Sequence, residues 1–204
     1  MKTLIFTILL FSTMASAICQ EKTSIEIPVD DKGNAVFLYK VARSYAKLLN
    51  LPSLETGYDS LQVRIWFNYG NLKKTHLIII SNKEKRWAGT LYRLLVDKKN
   101  DTSYFLEKEK KQKVIPKSGW EKMIRAMNKL KIPALISCEY LSEYGAGVDT
   151  EYYMIEVATK NNYRFYDYFD PKEGAKEYKE AAALENFLKK LEKEFLFLRR
   201  EVFQ

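Results

Sequence analysis

The chain has 204 residues, with 34 Lys and Arg against 26 Asp and Glu, a formal net charge of +8, one His and two Cys. That length suits one domain with a sizeable core. A lone His means that any Ser/His/Asp or Cys/His catalytic pair would have to use His76, and a moderate positive excess without a nucleic-acid motif argues against nucleic acid as a partner.

The chain opens MKTLIFTILLFSTMASAICQ. Lys2, the apolar run Leu4 to Phe11 and the small residues Ala15-Ser16-Ala17 are the parts of a secretory signal peptide over residues 1–17, with cleavage after Cys19 as the alternative. The run is well short of the ~20 apolar residues a spanning helix needs. We therefore expect one exported domain over residues 18–204, periplasmic or secreted, with no transmembrane segment once the signal is removed. Loss of Lys2, the one charged residue in the signal, lowers the net charge from +8 to +7. If Cys19 survives processing it can pair with Cys138 in a disulfide; otherwise Cys138 is a lone buried thiol. Lipidation of Cys19 is a third route, which Ile18 disfavours.

Asn34 to Leu49 spaces Phe37, Val41, Tyr45 and Leu48 as the stripe of an amphipathic helix that ends before Pro52. LQVRIWFN alternates as a half-buried strand, with Val63, Ile65 and Phe67 on one face and Arg64 and Trp66 on the other. THLIII is apolar on both faces and β-branched, as a central strand would be. SNKEK then turns the chain into the strand RWAGTLYRLLV, and SYFLEK forms a further strand after KKNDT. The basic run EKEKKQKVIPK reads as a solvated strand end and turn whose lysines discourage edge pairing; the alternative is a patch for anionic lipid or polysaccharide. Ser118 and Glu121 suggest a capping box for a helix that buries Trp120, Ile124, Met127 and Leu130.

YYMIEVATKNNYRFYDYFDP reads as a hairpin turning at Lys160 to Asn162. A three-residue loop would place Glu156 opposite Tyr166 and diagonal to Arg164, so that Tyr152, Glu156, Arg164, Tyr166 and Tyr168 share one face. Arg64 and Trp66 would join it if their strand lies in the same sheet. Such a face suits a sugar or peptide, although tyrosine is also simply favourable on a half-exposed strand. Asp167, on the opposite and nominally apolar face, has no explanation in either case. From Lys172 to Phe203 the positions Ala181, Leu184, Leu188, Leu191, Phe195, Leu198 and Val202 predict one long helix lying on the sheet.

These elements predict an α+β fold: a single antiparallel sheet of about five to six strands packed with amphipathic helices, including the long C-terminal one. No zinc, phosphate-loop, redox or nucleophile-elbow motif is present, so no cofactor or metal is expected and no catalytic residue is assigned. Asp149 and Glu151 lack the further spacing of a calcium loop.

The segments RIWFNYG, KEKRWAGTLYRL, PKSGWE and YYMIEVATKNNYRFYDYFDP together resemble small exported bacterial proteins of unknown function, of the kind found in Bacteroidetes-like secretomes. The resemblance runs from about Leu61 into the C-terminal helix, and implies an exported single domain but no activity or ligand. The expected function is a non-enzymatic binding or envelope-associated protein whose sheet face (Arg64, Trp66, Tyr152, Glu156, Arg164, Tyr166, Tyr168) meets a glycan, peptide or envelope protein. Two other functions stay open. One is a small glycosidase-like hydrolase using two of Glu139, Glu143, Asp149, Glu151, Glu156, Asp167 and Asp170. The other is an oligomeric scaffold held by the C-terminal stripe.

Overall fold

The computed structural model describes residues 23–69, 73–100, 103–145 and 150–197. The signal segment, Cys19 and its pairing, Asp149, Leu198 and Val202 lie outside the described residues. Strands β1 (Ser24–Glu26), β2 (Leu61–Tyr69), β3 (Lys74–Lys83), β4 (Arg86–Asn100), β5 (Ser103–Val114), β6 (Glu151–Thr159) and β7 (Asn162–Phe169) form one sheet in the order β1-β7-β6-β2-β3-β4-β5. The fold is α+β as expected, but the sheet has seven strands rather than five or six, and it is mixed: β1 runs parallel to β7 while every other neighbouring pair is antiparallel.

Helices cover both faces of this sheet. Helix α1 (Phe37–Leu48) lies on one face, where Val41, Tyr45 and Ala46 meet Trp66, Leu77, Leu94, Met154 and Tyr163. The opposite face takes α2 (Trp120–Lys129) and α4 (Lys179–Phe195), whose Met123, Met127, Leu184, Phe187 and Leu188 pack on Val63, Ile65, Ile78, Leu91 and Ile155. The sheet's central strands are therefore buried on both sides, which explains why THLIII carries no polar stripe. In α1 the core contacts come from Leu38, Val41, Ala42 and Tyr45, while the expected stripe residue Phe37 is 52% exposed.

Turn chemistry fits the hairpins. Between β3 and β4 both Glu84 and Lys85 take positive φ, the backbone of a two-residue turn whose twist matches the flanking strands. The basic run lies along β5, the outermost strand, with Lys108, Lys110, Lys111 and Lys113 exposed; such charges oppose pairing with another edge.

Two helix termini differ from expectation. Helix α2 starts after Gly119, whose φ of 83° suits glycine, with no side-chain cap; the Ser118 amide instead donates to Glu194 on α4 at 2.7 Å. The C-terminal segment is not one helix: α3 (Pro171–Gly174) is capped by Asp170, and Tyr178, in an extended conformation, precedes α4. Ala181, Leu184, Leu188, Leu191 and Phe195 are all buried against the chain's own sheet, so over α4 the stripe is already occupied. Among the described residues no helix is long and apolar enough to cross a membrane.

Candidate functional site at the β7 margin

The expected aromatic face does not form, because the β6–β7 register differs by one residue from that of a three-residue loop. Ala158 pairs with Tyr163, Glu156 with Phe165 and Met154 with Asp167, leaving Lys160 and Asn161 as the turn. A one-residue slip sends every side chain of a strand to the other face. Arg64, Trp66, Tyr152 and Glu156 thus share the α1 face with Tyr163 and Asp167, whereas Arg164, Tyr166 and Tyr168 lie on the opposite one.

On that opposite face both tyrosines are buried and satisfied. Tyr166 Oη donates to the Ile132 carbonyl and Tyr168 Oη to that of Ile136 at 2.6 Å. Arg164 Nε donates to Glu26 Oε2 at 2.6 Å and its Nη1 to the Pro133 carbonyl at 3.0 Å. These bonds tie β1 and the segment 132–136 to β7.

On the α1 face Arg64, Trp66 and Glu156 do meet, but at 0% exposure. Glu156 accepts from Trp66 Nε1 at 3.0 Å and from Tyr163 Oη at 3.1 Å, and Arg64 Nη1 stands 3.8 Å from Oε2. Arg64 also donates to Gln62 Oε1 at 3.0 Å and to the Pro52 carbonyl at 2.8 Å. Burial pushes its guanidinium below the ordinary value, an effect that the Glu156 charge opposes. Toward solvent Tyr39 donates to Glu55, which pairs with Arg43 at 3.2 Å. The segment after α1 holds its place over this cluster through the Tyr58 amide, which donates to the Thr159 carbonyl at 2.8 Å. Gly57 there has a φ of 88°, and a Cβ would lie 2.4 Å from the Lys160 carbonyl oxygen. Of the predicted residues, Arg64, Trp66 and Glu156 therefore form a sealed polar network, Tyr168 is buried on the opposite face, and Tyr152, Arg164 and Tyr166 reach only the walls of clefts at the sheet margin.

Access to solvent lies instead beyond β7. Asp167, the polar residue with no place on an apolar face, is fully buried on the α1 side. Its Oδ1 accepts from Ser137 Oγ at 2.7 Å, and its amide donates to the same oxygen at 3.3 Å, so Ser137 stands where a further strand would pair. Among the described residues Oδ2 has no hydrogen-bond partner. Burial raises the Asp167 carboxyl from 3.8 to about 7, only partly offset by Ser137 and reinforced by Glu139. Asp167 and Glu139 line a cleft of about 180 Å³ whose walls are Val36, Phe37, Leu38, Tyr152 and Phe169. A second cleft, about 350 Å³, is lined by Ser137 together with Ile25, Ile136, Tyr140, Arg164 and Tyr166 among others.

The reactive groups of the chain are poorly placed for catalysis here. Cys138, unpaired among the described residues, is a buried thiol pushed far above its ordinary value by burial and then by the Asp167 charge, the opposite of an activated nucleophile. His76 is buried on the other face of the sheet, edge-on to Phe197 at 5.7 Å. Among the described residues no cluster of three or more His, Cys, Asp or Glu is placed to hold a metal ion. Ser137 carried no signal in the sequence. Asp167 did, as an acid in a run of core residues, and Tyr163 becomes visible only once the register is known.

Two measurements probe this geometry. Glu156→Gln leaves Arg64 buried without its counter-charge, so we expect a loss of about 3–5 kcal/mol in urea unfolding. Adding Arg64→Met should restore part of that loss, and strict additivity of the two changes would show that the pair is not coupled. For Asp167 the folded value lies above the unfolded one, so the native chain holds its proton more tightly. Stability should fall as pH rises from about 4 to about 7, with a slope of at most ~1.4 kcal/mol per pH unit. Asp167→Asn should flatten this fall and make the chain more stable than the wild type at high pH, with little difference in acid. An unchanged pH slope in that variant would contradict the assignment. As for relatives, no protein-family model matches the sequence and no curated protein shows significant similarity to it.

Proposed function

We propose that this chain is an exported, non-enzymatic binding protein whose contact region is the margin of the sheet beyond β7, not the aromatic sheet face. One observation carries this proposal: exposed apolar side chains gather at that margin. Ile25 and Phe37 are each 52% exposed, Tyr140 is 61% exposed, and Ile136 belongs to the same group; Ile25, Ile136 and Tyr140 line the larger cleft and Phe37 the smaller. Exposed apolar side chains gathered at clefts beside charges, here Glu26, Arg164 and Glu139, are a mark of a contact surface. Clefts of this size sit at or below the ~300–1,000 Å³ of typical ligand pockets. They suit a small ligand, or the end of a peptide or glycan, better than a broad partner surface.

The hydrolase alternative gains one specific observation, since Glu139 and Asp167 line a single cleft and Asp167 holds its proton up to about pH 7, as a general acid requires. The small volume of that cleft counts against a glycoside substrate.

Glycan, peptide and small-molecule arrays on the secreted protein, with Tyr140→Ala, Phe37→Ala and, as a control in neither cleft, Trp66→Phe alongside, separate these functions. We expect the two margin variants to lose about tenfold or more in binding of any ligand found, a step of ~1.4 kcal/mol, and Trp66→Phe to bind as the wild type does. Turnover of a chromogenic glycoside that Asp167→Asn abolishes while binding persists would establish the hydrolase instead. A ligand insensitive to both margin changes would place the contact elsewhere.

A further inference from the structure

The smaller cleft has a chemical bias. Among the described residues its walls are mostly apolar, its carboxylic acids are Asp167 and Glu139, and no Lys or Arg side chain lines it. Asp167 is fully buried, yet among the described residues only Oδ1 is engaged, and Oδ2 is left without a partner. A buried polar atom with no partner is costly, and in a native structure it calls for an explanation, a functional role or a bound ion among them. A cation in this space would supply the missing hydrogen bond and counter the repulsion between the two acids. Apolar walls would in turn strengthen a charge-assisted bond by excluding water.

Resting on the binding function above, we propose that this cleft takes a primary ammonium group carried on a small apolar body, the ammonium meeting Asp167 Oδ2 with Glu139 at the mouth and the body lying against Phe37, Leu38 and Phe169. The volume of about 180 Å³ admits a body of about one aromatic ring and not a drug-sized molecule. The same chemistry occurs in a free amine and at the amino terminus of a peptide that begins with an apolar residue.

Binding should depend on the protonation of Asp167. The groups facing it are Glu139 and Cys138 from the 3₁₀ turn Cys138–Tyr140, and Tyr144 from the loop that follows. Tyr152 of β6 joins them in the cleft wall, and α1 presents only Val36, Phe37 and Leu38 there. The Cys138 thiol and the Tyr144 hydroxyl are both held above their ordinary values by burial and stay neutral. As pH rises through about 7 Asp167 loses its proton, so affinity for an ammonium should increase over the interval in which affinity for a carboxylate would fall.

The test titrates the secreted protein with phenethylamine, 2-phenylethanol and 3-phenylpropionate, following the aromatic NMR signals of Phe37 and Tyr152 and the heat of binding. We expect phenethylamine to bind about tenfold or more tighter than the alcohol, more tightly at pH 8 than at pH 6, with the acid weakest at the higher pH. Asp167→Asn should abolish the preference for the amine over the alcohol, and Glu139→Gln, at an exposed position that leaves folding intact, should reduce it by a smaller factor. Phe-Gly-Gly beside its N-acetylated twin distinguishes a peptide terminus from a free amine as the source. Equal binding of amine and alcohol, or an amine preference that survives Asp167→Asn, overturns the proposal while leaving a binding function at this margin in place. Silence of the cleft signals toward all three probes, together with arrays that yield no ligand sensitive to Phe37→Ala, overturns both.

Discussion

The register of the β6–β7 hairpin is the constraint on which the rest of the structure depends. With Lys160 and Asn161 as the turn, Tyr163 and not Arg164 lies on the face of Glu156. That choice gives the buried carboxylate two hydrogen-bond donors, Trp66 and Tyr163, and leaves Arg64 as its charge partner. The other register would bring Arg164 to the α1 face and turn Phe165 and Tyr163 away from it. It would also take Tyr166 and Tyr168 from the carbonyls of Ile132 and Ile136. Because each face of β6 and β7 packs against a separate core, a slip costs both cores at once.

Burial on both sides also determines where function can reside. Polar groups inside must be paired within the chain, and those around Glu156 nearly are. At the margin beyond β7 this closure is incomplete beside open clefts. There β1 covers only the first residues of β7, Ser137 substitutes for a strand partner at Asp167, and the segment from Ile132 to Tyr140 lines both clefts. An acid with one unsatisfied oxygen and a set of exposed apolar side chains stand together at this one edge, while the opposite edge, β5, carries lysines that keep other strands away.

Much of the fold was legible in the sequence because periodicity reports burial. Val63, Ile65 and Phe67 alternate with Arg64 and Trp66 as a strand should, and Val41 and Tyr45 repeat as a helix should. The lysines of β5 read as a solvated strand end and turn through their charge, whereas the strand runs on through them to Val114. Three features were not legible. A helix-covered second face looks the same as a half-exposed one when the inward residues are Trp, Tyr, Arg and Glu, since these types serve in a buried network as well as on a surface. Hairpin loop length cannot be read from Lys-Asn-Asn, where either asparagine can take the turn, and that single ambiguity divided the expected site between two faces. Ser118 and Glu121 matched a capping box, yet the Ser118 amide went to Glu194, a partner 76 residues away. The anomaly that pointed to the margin was chemical: an aspartate among core residues that neither face could explain.

The central claim, that Tyr163 and the pair Tyr166 and Tyr168 of β7 are interior residues on opposite faces, is tested most directly by nitration of the native protein with tetranitromethane, mapped by mass spectrometry. The structure predicts rapid modification at Tyr140, which is 61% exposed, and protection of Tyr163, Tyr166 and Tyr168 until the chain unfolds. Modification of Tyr166 and Tyr168 in the native state as fast as that of Tyr140 would contradict it, and would return the aromatic face to the surface.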